Sequence, residues 1–262
     1  MLADTMFELL GLAVGFLVGL TGIGGGALMT PSLILLGVGV ERAVGTDLAY
    51  AFTIKSFSSV IHKRGQNFDS KLFLYTAPSG IAGILSGYYL LRERVVYGDT
   101  LTAILGAVLF VVSVLMIYSG IKHRIKTECF ACEKYCETFE SNGGNAYWLI
   151  AVGFAVGLLV QLTSVGSGTL LTFAVLNLTN LKPNRVVGTD LVTSTLLSGF
   201  ALLSHGWLGN VDFDLALKLI PAGITGAFAG YLVSKRCSPS TLKMAISGSI
   251  GLASLTLIAG KF

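Results

Sequence analysis

Long apolar runs build this sequence, and their length decides the class of fold open to it. Largely apolar stretches lie near residues 6–21, 27–40, 42–62, 70–91 and 100–121, and after a polar loop five more follow near 145–163, 167–180, 185–204, 213–234 and 240–260. A bilayer core of about 30 Å is crossed by roughly 20 apolar residues in helix. The stretches 27–40 and 167–180 are shorter and each stands directly behind a glycine-rich segment, so half-helices suit them better than full spans. The runs are continuously apolar rather than alternating, which excludes a β-barrel. Charged residues make up only 12% of the chain and hydrophobic ones 53%, with a mean hydropathy of +0.77. So few charges do not cover the surface of a soluble particle of this size, and they exclude a disordered chain. The glycines follow no strict period, which excludes collagen. A net charge of +4 on scattered carriers gives no footprint for nucleic acid. The first apolar stretch follows Asp4 and Glu8 rather than a basic region, unlike a cleaved signal peptide. The expected fold is an all-α integral membrane protein.

The two halves of the chain copy each other. Leu20-Thr21-Gly22-Ile23-Gly24-Gly25-Gly26 returns as Leu162-Thr163-Ser164-Val165-Gly166-Ser167-Gly168, and Val44-Gly45-Thr46-Asp47-Leu48 returns as Val187-Gly188-Thr189-Asp190-Leu191. Polar and structure-breaking residues are repeated with the apolar ones: Arg42 with Arg185, His62 with His205, Asn67 with Asn210, Asp69 with Asp212, Pro78 with Pro221. Shared greasiness alone does not produce such matches. The expected organisation is a first membrane repeat over 1–126, a cysteine-containing loop over 127–144 and a second repeat over 145–262. Each half holds five hydrophobic segments, an odd number, so the second is expected to enter the membrane from the opposite face. Tracing parity places Lys63, Arg64, Lys71, Lys122, Arg124, Lys126, Lys134, Lys182, Arg185, Lys235 and Arg236 on one side, against Arg42, Arg92, Arg94 and Lys261 on the other. The positive-inside rule then makes the richer side cytoplasmic, with both termini facing outward.

Inverted repeats with interrupted helices are a common plan for secondary transporters, whose substrate sits near the midplane at the breaks. Glycine costs about 1 kcal/mol relative to alanine in a helix, so the run Gly22-Ile23-Gly24-Gly25-Gly26 interrupts one. Unwound backbone at membrane depth must be buried or line a wet cavity. The short helix behind each break turns free N–H groups and a positive dipole end toward the gap, which suits an anion. Thr21, Gly24, Gly25 and Gly26 in the first half, and Gln161, Thr163, Ser164, Gly166, Ser167 and Gly168 in the second, are the expected binding residues. Glycine-mediated helix packing is the competing account of the same pattern.

Lys55 lies inside the 42–62 run and its repeat mate is Ser198. A lysine at depth faces the protein interior or a cavity, where it would complement an anion, unless it snorkels to the interface. Asp47 and Asp190 each follow an arginine, Arg42 and Arg185, by five residues, which is poor spacing for a helical ion pair. They are expected to cap helices or bond neighbouring loops, with proton or ion coupling as the sharper alternative. Thr46 and Thr189 are weaker candidates because threonine also bonds its own helix. His62 and His205, at segment ends, are expected to be solvated or packed. Pro78 and Pro221 should bend their helices as a matched pair. Cys129, Cys132 and Cys136 in the loop, with Cys237 on the same expected side, could bind zinc. Their spacing fits no familiar zinc motif, so unliganded thiols are the expectation. No cofactor is implied.

The run Gly15-Phe16-Leu17-Val18-Gly19-Leu20-Thr21-Gly22-Ile23-Gly24-Gly25-Gly26, the short segment holding Pro31, the motif Val44-Gly45-Thr46-Asp47-Leu48 and the second opening at Gly153-Phe154-Ala155-Val156-Gly157 together resemble the TauE/SafE sulfite exporter family, transporters akin to the 4-toluene sulfonate uptake permeases. The resemblance covers nearly the whole chain. It implies a helical carrier, in a cell inner membrane, of small sulfur-containing anions such as sulfite, sulfonates or sulfoacetate. Two other classes compete. An anion channel shares the composition. An intramembrane serine hydrolase would pair Ser167 with His205, yet Val165 stands where the rhomboid G-x-S-G motif has its first glycine, so a non-enzyme is expected.

Overall fold

The computed structural model describes residues 2–21, 26–62, 68–126, 143–166, 168–179, 181 and 183–234, and nearly all of them are helical. The helices are α1 (Leu2–Thr21), α2 (Gly26–Leu35), α3 (Val40–His62), α4 (Ser70–Arg92), α5 (Asp99–Lys126), α6 (Gly143–Thr163), α7 (Thr169–Leu178), α8 (Pro183–Trp207) and α9 (Phe213–Ser234). These follow the apolar runs of the sequence closely, and the two short segments emerge as ten-residue helices, α2 and α7. The run at 240–260 and the loop holding Cys129, Cys132 and Cys136, like Cys237, lie outside the described residues.

Within α6, α8 and α9 the stretches Ala146–Thr163, Arg185–Trp207 and Phe213–Val233 are long and apolar enough to cross a membrane, and shorter apolar stretches lie in α1, α2 and α5. Helix α3 carries Glu41, Arg42, Asp47 and Lys55, which lowers its mean hydropathy although Asp47 and Lys55 are buried. Large apolar side chains cover much of the outside, among them Leu12, Leu74, Leu85, Phe110, Phe154, Leu203, Leu217 and Phe228. A greasy exterior of that extent belongs in lipid.

The tightest packing joins the two halves rather than neighbours in sequence. Helix α1 lies along α9, α4 along α6, and α3 along α8. Small residues permit this: a methyl group at Gly15 would overlap the backbone of Gly223, and one at Gly157 would overlap the backbone of Gly80. Gly15 and Gly157 are 142 residues apart, and Gly80 and Gly223 are 143 apart, so one contact is made twice. Without lipid-excluding force between helices, such close backbone approach is what drives association in a bilayer.

The buried side chains form two main clusters with the same relation. One gathers Val14, Val18, Met29, Leu33 and Leu219 around α1, α2 and α9. The other gathers Val156, Val160, Leu171, Val175, Ile84 and Leu197 around α4, α6, α7 and α8. Helix starts are tied across the halves as well. Asp69 caps α4 by accepting from the Leu72 N–H at 2.9 Å, while its own N–H donates to Thr189 Oγ1 at 2.9 Å. Asp212 accepts from the Leu215 N–H at 3.0 Å, while its N–H donates to Thr46 Oγ1 at 3.1 Å. Thr46 and Thr189 therefore hold helix ends. Pro78 and Pro221 lie within the unbroken spans of α4 and α9 and on their exposed sides.

Candidate functional site

The second break begins where α6 stops. Ser164 takes a left-handed backbone conformation at φ 59° and Gly166 follows at φ 106°, a pair of values that cannot continue a right-handed helix. Thr163 secures the end: its hydroxyl donates to the Leu159 carbonyl at 2.7 Å and accepts from the Val165 N–H at 3.2 Å. The Thr163 hydroxyl thus serves the backbone at the end of α6. Gly168 stands just before α7 with no side-chain cap. Gly24, Gly25 and Ser167 lie outside the described residues, as do the side chains of Thr21 and His62.

The two breaks meet. Gly26, the first residue of α2, packs on the main-chain carbonyl of Ser164, and a methyl group there would also lie 3.2 Å from Asp47 Oδ2. Asp47 comes from the middle of α3, is fully buried, and accepts a hydrogen bond from Thr30 Oγ1 of α2 at 2.5 Å. In the other half Asp190 of α8 accepts from Thr172 Oγ1 of α7 at 2.8 Å. The expectation that these aspartates cap helices or bond loops is thus corrected: each ties a short helix to a long one from mid-helix. Thr30 and Thr172 were not singled out from the sequence. Their common offset of 142 was the available signal, since they are matched polar residues inside two apolar half-helices.

Lys55 lies eight residues beyond Asp47, so about 12 Å further along α3 at 1.5 Å per residue. It is 5% exposed and its Nζ donates to Ser198 Oγ of α8 at 3.2 Å. Snorkelling to an interface is excluded by that burial. Among the described residues no other lysine or arginine is buried. Lys55 stands within electrostatic reach of both Asp47 and Asp190. Arg42 is exposed and Arg185 half-exposed, so neither belongs to this buried group.

A neutral polar group adjoins it. Gln161 lies one helical turn before Ser164 on α6, is fully buried, and accepts at Oε1 from Ser204 Oγ at 2.8 Å. His205 is fully buried too, with Nε2 at 2.8 Å from the Gln161 main-chain oxygen. His205 is therefore packed in the interior rather than solvated. Five buried polar atoms have no hydrogen-bond partner among the described residues: Asp47 Oδ1, Asp190 Oδ1, Ser164 Oγ, Gln161 Nε2 and His205 Nδ1. Buried polar atoms are rarely left so, and all five belong to this region. Beside Asp190 a narrow cleft, lined by Leu72, Thr76, Leu171, Val175, Val186, Thr189 and Thr193, is too tight for a water-sized sphere.

Apolar helices with a lipid-facing exterior, two interrupted by short helices around a buried charged centre, define a membrane transport protein. Residues 8–257 match the family described as "Sulfite exporter TauE/SafE", and the chain belongs to that family. It is 34% identical over 259 residues to the probable membrane transporter protein YjnA of Bacillus subtilis, covering 95% of this chain and 98% of that protein. It is 25% identical to the probable membrane transporter YunE of the same organism, over 90% of each chain. A third relative, the probable membrane transporter YdhB, is 25% identical over 98% of this chain and the whole of that protein. No solved structure matches the chain.

Proposed function

We propose that this protein is a secondary transporter of small sulfur-containing anions, built as two inverted repeats that rock about a site between the breaks at 21–26 and 163–168. Lys55 supplies the positive charge that a sulfite, sulfonate or sulfoacetate would meet. Gln161 Nε2 and Ser164 Oγ offer donors to its oxygens, together with the backbone N–H groups that open α2 and α7. The observation that carries the reading is the burial of Lys55 against its own repeat mate, Ser198, at the boundary between the halves. A cation held at that depth without a function would be a standing cost. Reciprocal contacts support the inverted arrangement: Thr46 with Asp212 and Thr189 with Asp69 exchange partners between halves. Rocking of one half against the other then gives alternating access. The protein sits in the cell inner membrane with both termini outside and the cysteine loop in the cytoplasm.

The test is a thermal-unfolding panel of sulfite, sulfate, thiosulfate, taurine and sulfoacetate on purified protein. A ligand that binds only the folded state raises the midpoint. At least one sulfur oxyanion should do so saturably, and that shift should vanish in Lys55→Ala. Saturable counterflow in liposomes then separates a carrier from a pore. A panel without any shift, or one unchanged in Lys55→Ala, removes the reading.

A further inference from the structure

The buried centre holds two carboxyl groups and one amine. With Asp47 and Asp190 ionised, two carboxylates face one ammonium, that of Lys55, and all three groups are withdrawn from solvent. Buried charge without a counter-charge is strongly unfavourable, and an incoming anion worsens the imbalance. One further positive charge restores neutrality. The side chains around Asp47 are arranged to hold it, because three oxygen-bearing residues converge there from α2, α3 and the break that follows α6.

We propose that Asp47, Thr30 and Ser164 form a binding site for one sodium ion. Asp47 is 0% exposed, Thr30 0% and Ser164 3%. Asp47 Oδ2 is engaged by Thr30, whose donated proton leaves the hydroxyl lone pairs available. Asp47 Oδ1 accepts no other hydrogen bond among the described residues, and the Ser164 hydroxyl turns to the Asp47 carboxylate. The two hydroxyls that turn their protons to Asp47, those of Thr30 and Ser164, keep lone pairs for a cation beside the enclosed carboxylate. The main-chain carbonyl of Ser164 reaches the same place because Gly26 has no side chain to keep it away. A single carboxylate with hydroxyl and carbonyl oxygens is a hard, singly charged ligand set, matched in charge to an alkali cation rather than to a divalent one.

The repeat makes this site single. Asp190 and Thr172 reproduce Asp47 and Thr30, but the position equivalent to Ser164 is Gly22, which brings no hydroxyl. One sodium per chain is the expected stoichiometry. Ion binding depends on the fold alone; only the consequence that sodium travels with the anion rests on the transport reading.

Thermal unfolding of the full chain in detergent, titrated with sodium chloride against choline chloride at constant ionic strength, tests the site. The midpoint of the wild type should rise saturably with sodium and not with choline. Ser164→Ala, which removes one ligand oxygen, should weaken the apparent sodium affinity about tenfold, and Asp47→Asn should abolish the response. Ser86→Ala, at an exposed serine bonded to its own helix, should titrate like the wild type. Should Asp47→Asn fail to fold, Ser164→Ala decides. Equal midpoints in sodium and choline overturn the site, as does a Ser164→Ala curve that matches the wild type. A midpoint that follows pH but ignores sodium assigns Asp47 to a proton and overturns it as well. The anion panel run beside it keeps the readings apart: an anion shift without a sodium shift sinks the ion site alone, and a sodium shift without an anion shift upholds the ion site and sinks the substrate reading.

Discussion

Lys55 donates a hydrogen bond to Ser198 at 3.2 Å, and the two residues are 143 positions apart, the same separation that relates Asp47 to Asp190 and Thr46 to Thr189. A residue that touches its own counterpart lies where the two halves meet. Lys55 breaks the likeness of the halves there, since one copy supplies an ammonium and the other a hydroxyl. The proposed single substrate site at the junction needs that asymmetry only once.

Replacing Lys55 by methionine keeps the length of the side chain and removes the charge. The expected result is a folded protein whose midpoint no longer responds to any anion of the panel. In the wild type a ligand at a hundred times its Kd contributes about 2.7 kcal/mol, so the lost response is large enough to read directly.

The paired caps predict paired costs. Asp69→Ala and Asp212→Ala should each destabilise by about 1 kcal/mol, the usual worth of an N-cap. Thr189→Val removes the hydroxyl that accepts from the buried Asp69 N–H and should cost about 1–3 kcal/mol. Unfolding midpoints of the three variants check both values, and an unchanged Thr189→Val would mean that the tie between α8 and the start of α4 carries no stability.

Close helix contact predicts a sharp contrast among glycines. Gly15→Val and Gly157→Val push side chains into the backbones of α9 and α4 and should abolish recovery of monodisperse protein. Gly206→Ala meets nothing within 4 Å and should be neutral or stabilising by up to about 1 kcal/mol. Size-exclusion profiles of the three purified variants make the comparison.

The proposed orientation puts all four cysteines of the chain, Cys129, Cys132, Cys136 and Cys237, on the cytoplasmic side. A membrane-impermeant maleimide should leave the protein unlabelled in intact cells and label it after permeabilisation. Labelling of intact cells at the loop would reverse the orientation.

Most of the helical plan could be read from the order of residues. Apolar length marked the helices because a bilayer sets a minimum run, and the glycine breaks marked α2 and α7 because unwound backbone interrupts such runs. Duplication of Asp47, Thr46 and Asp69 in the second half flagged residues that do serve the fold. What those residues bond was not legible. Asp47 and Asp190 were expected at helix ends or loops, and instead each receives a threonine from a short helix in the interior. Spacing along one helix says nothing about which helix packs beside it. That Thr163 bonds the backbone at the end of α6 was likewise not legible from its place beside the break.

The sequence by itself determined a lipid-embedded helical chain, its breaks and its doubled pattern, because these follow from local properties: apolar run length, glycine, and likeness between two stretches of one chain. Only the tertiary structure decided that Lys55 is buried against Ser198, that Gly26 rests on Ser164, and that the Ser164 hydroxyl faces the enclosed Asp47 carboxylate. Those relations join residues more than a hundred positions apart, and they exist because glycine-lined helices from opposite halves pack closely enough to bring the polar faces of α3 and α8 together in the interior.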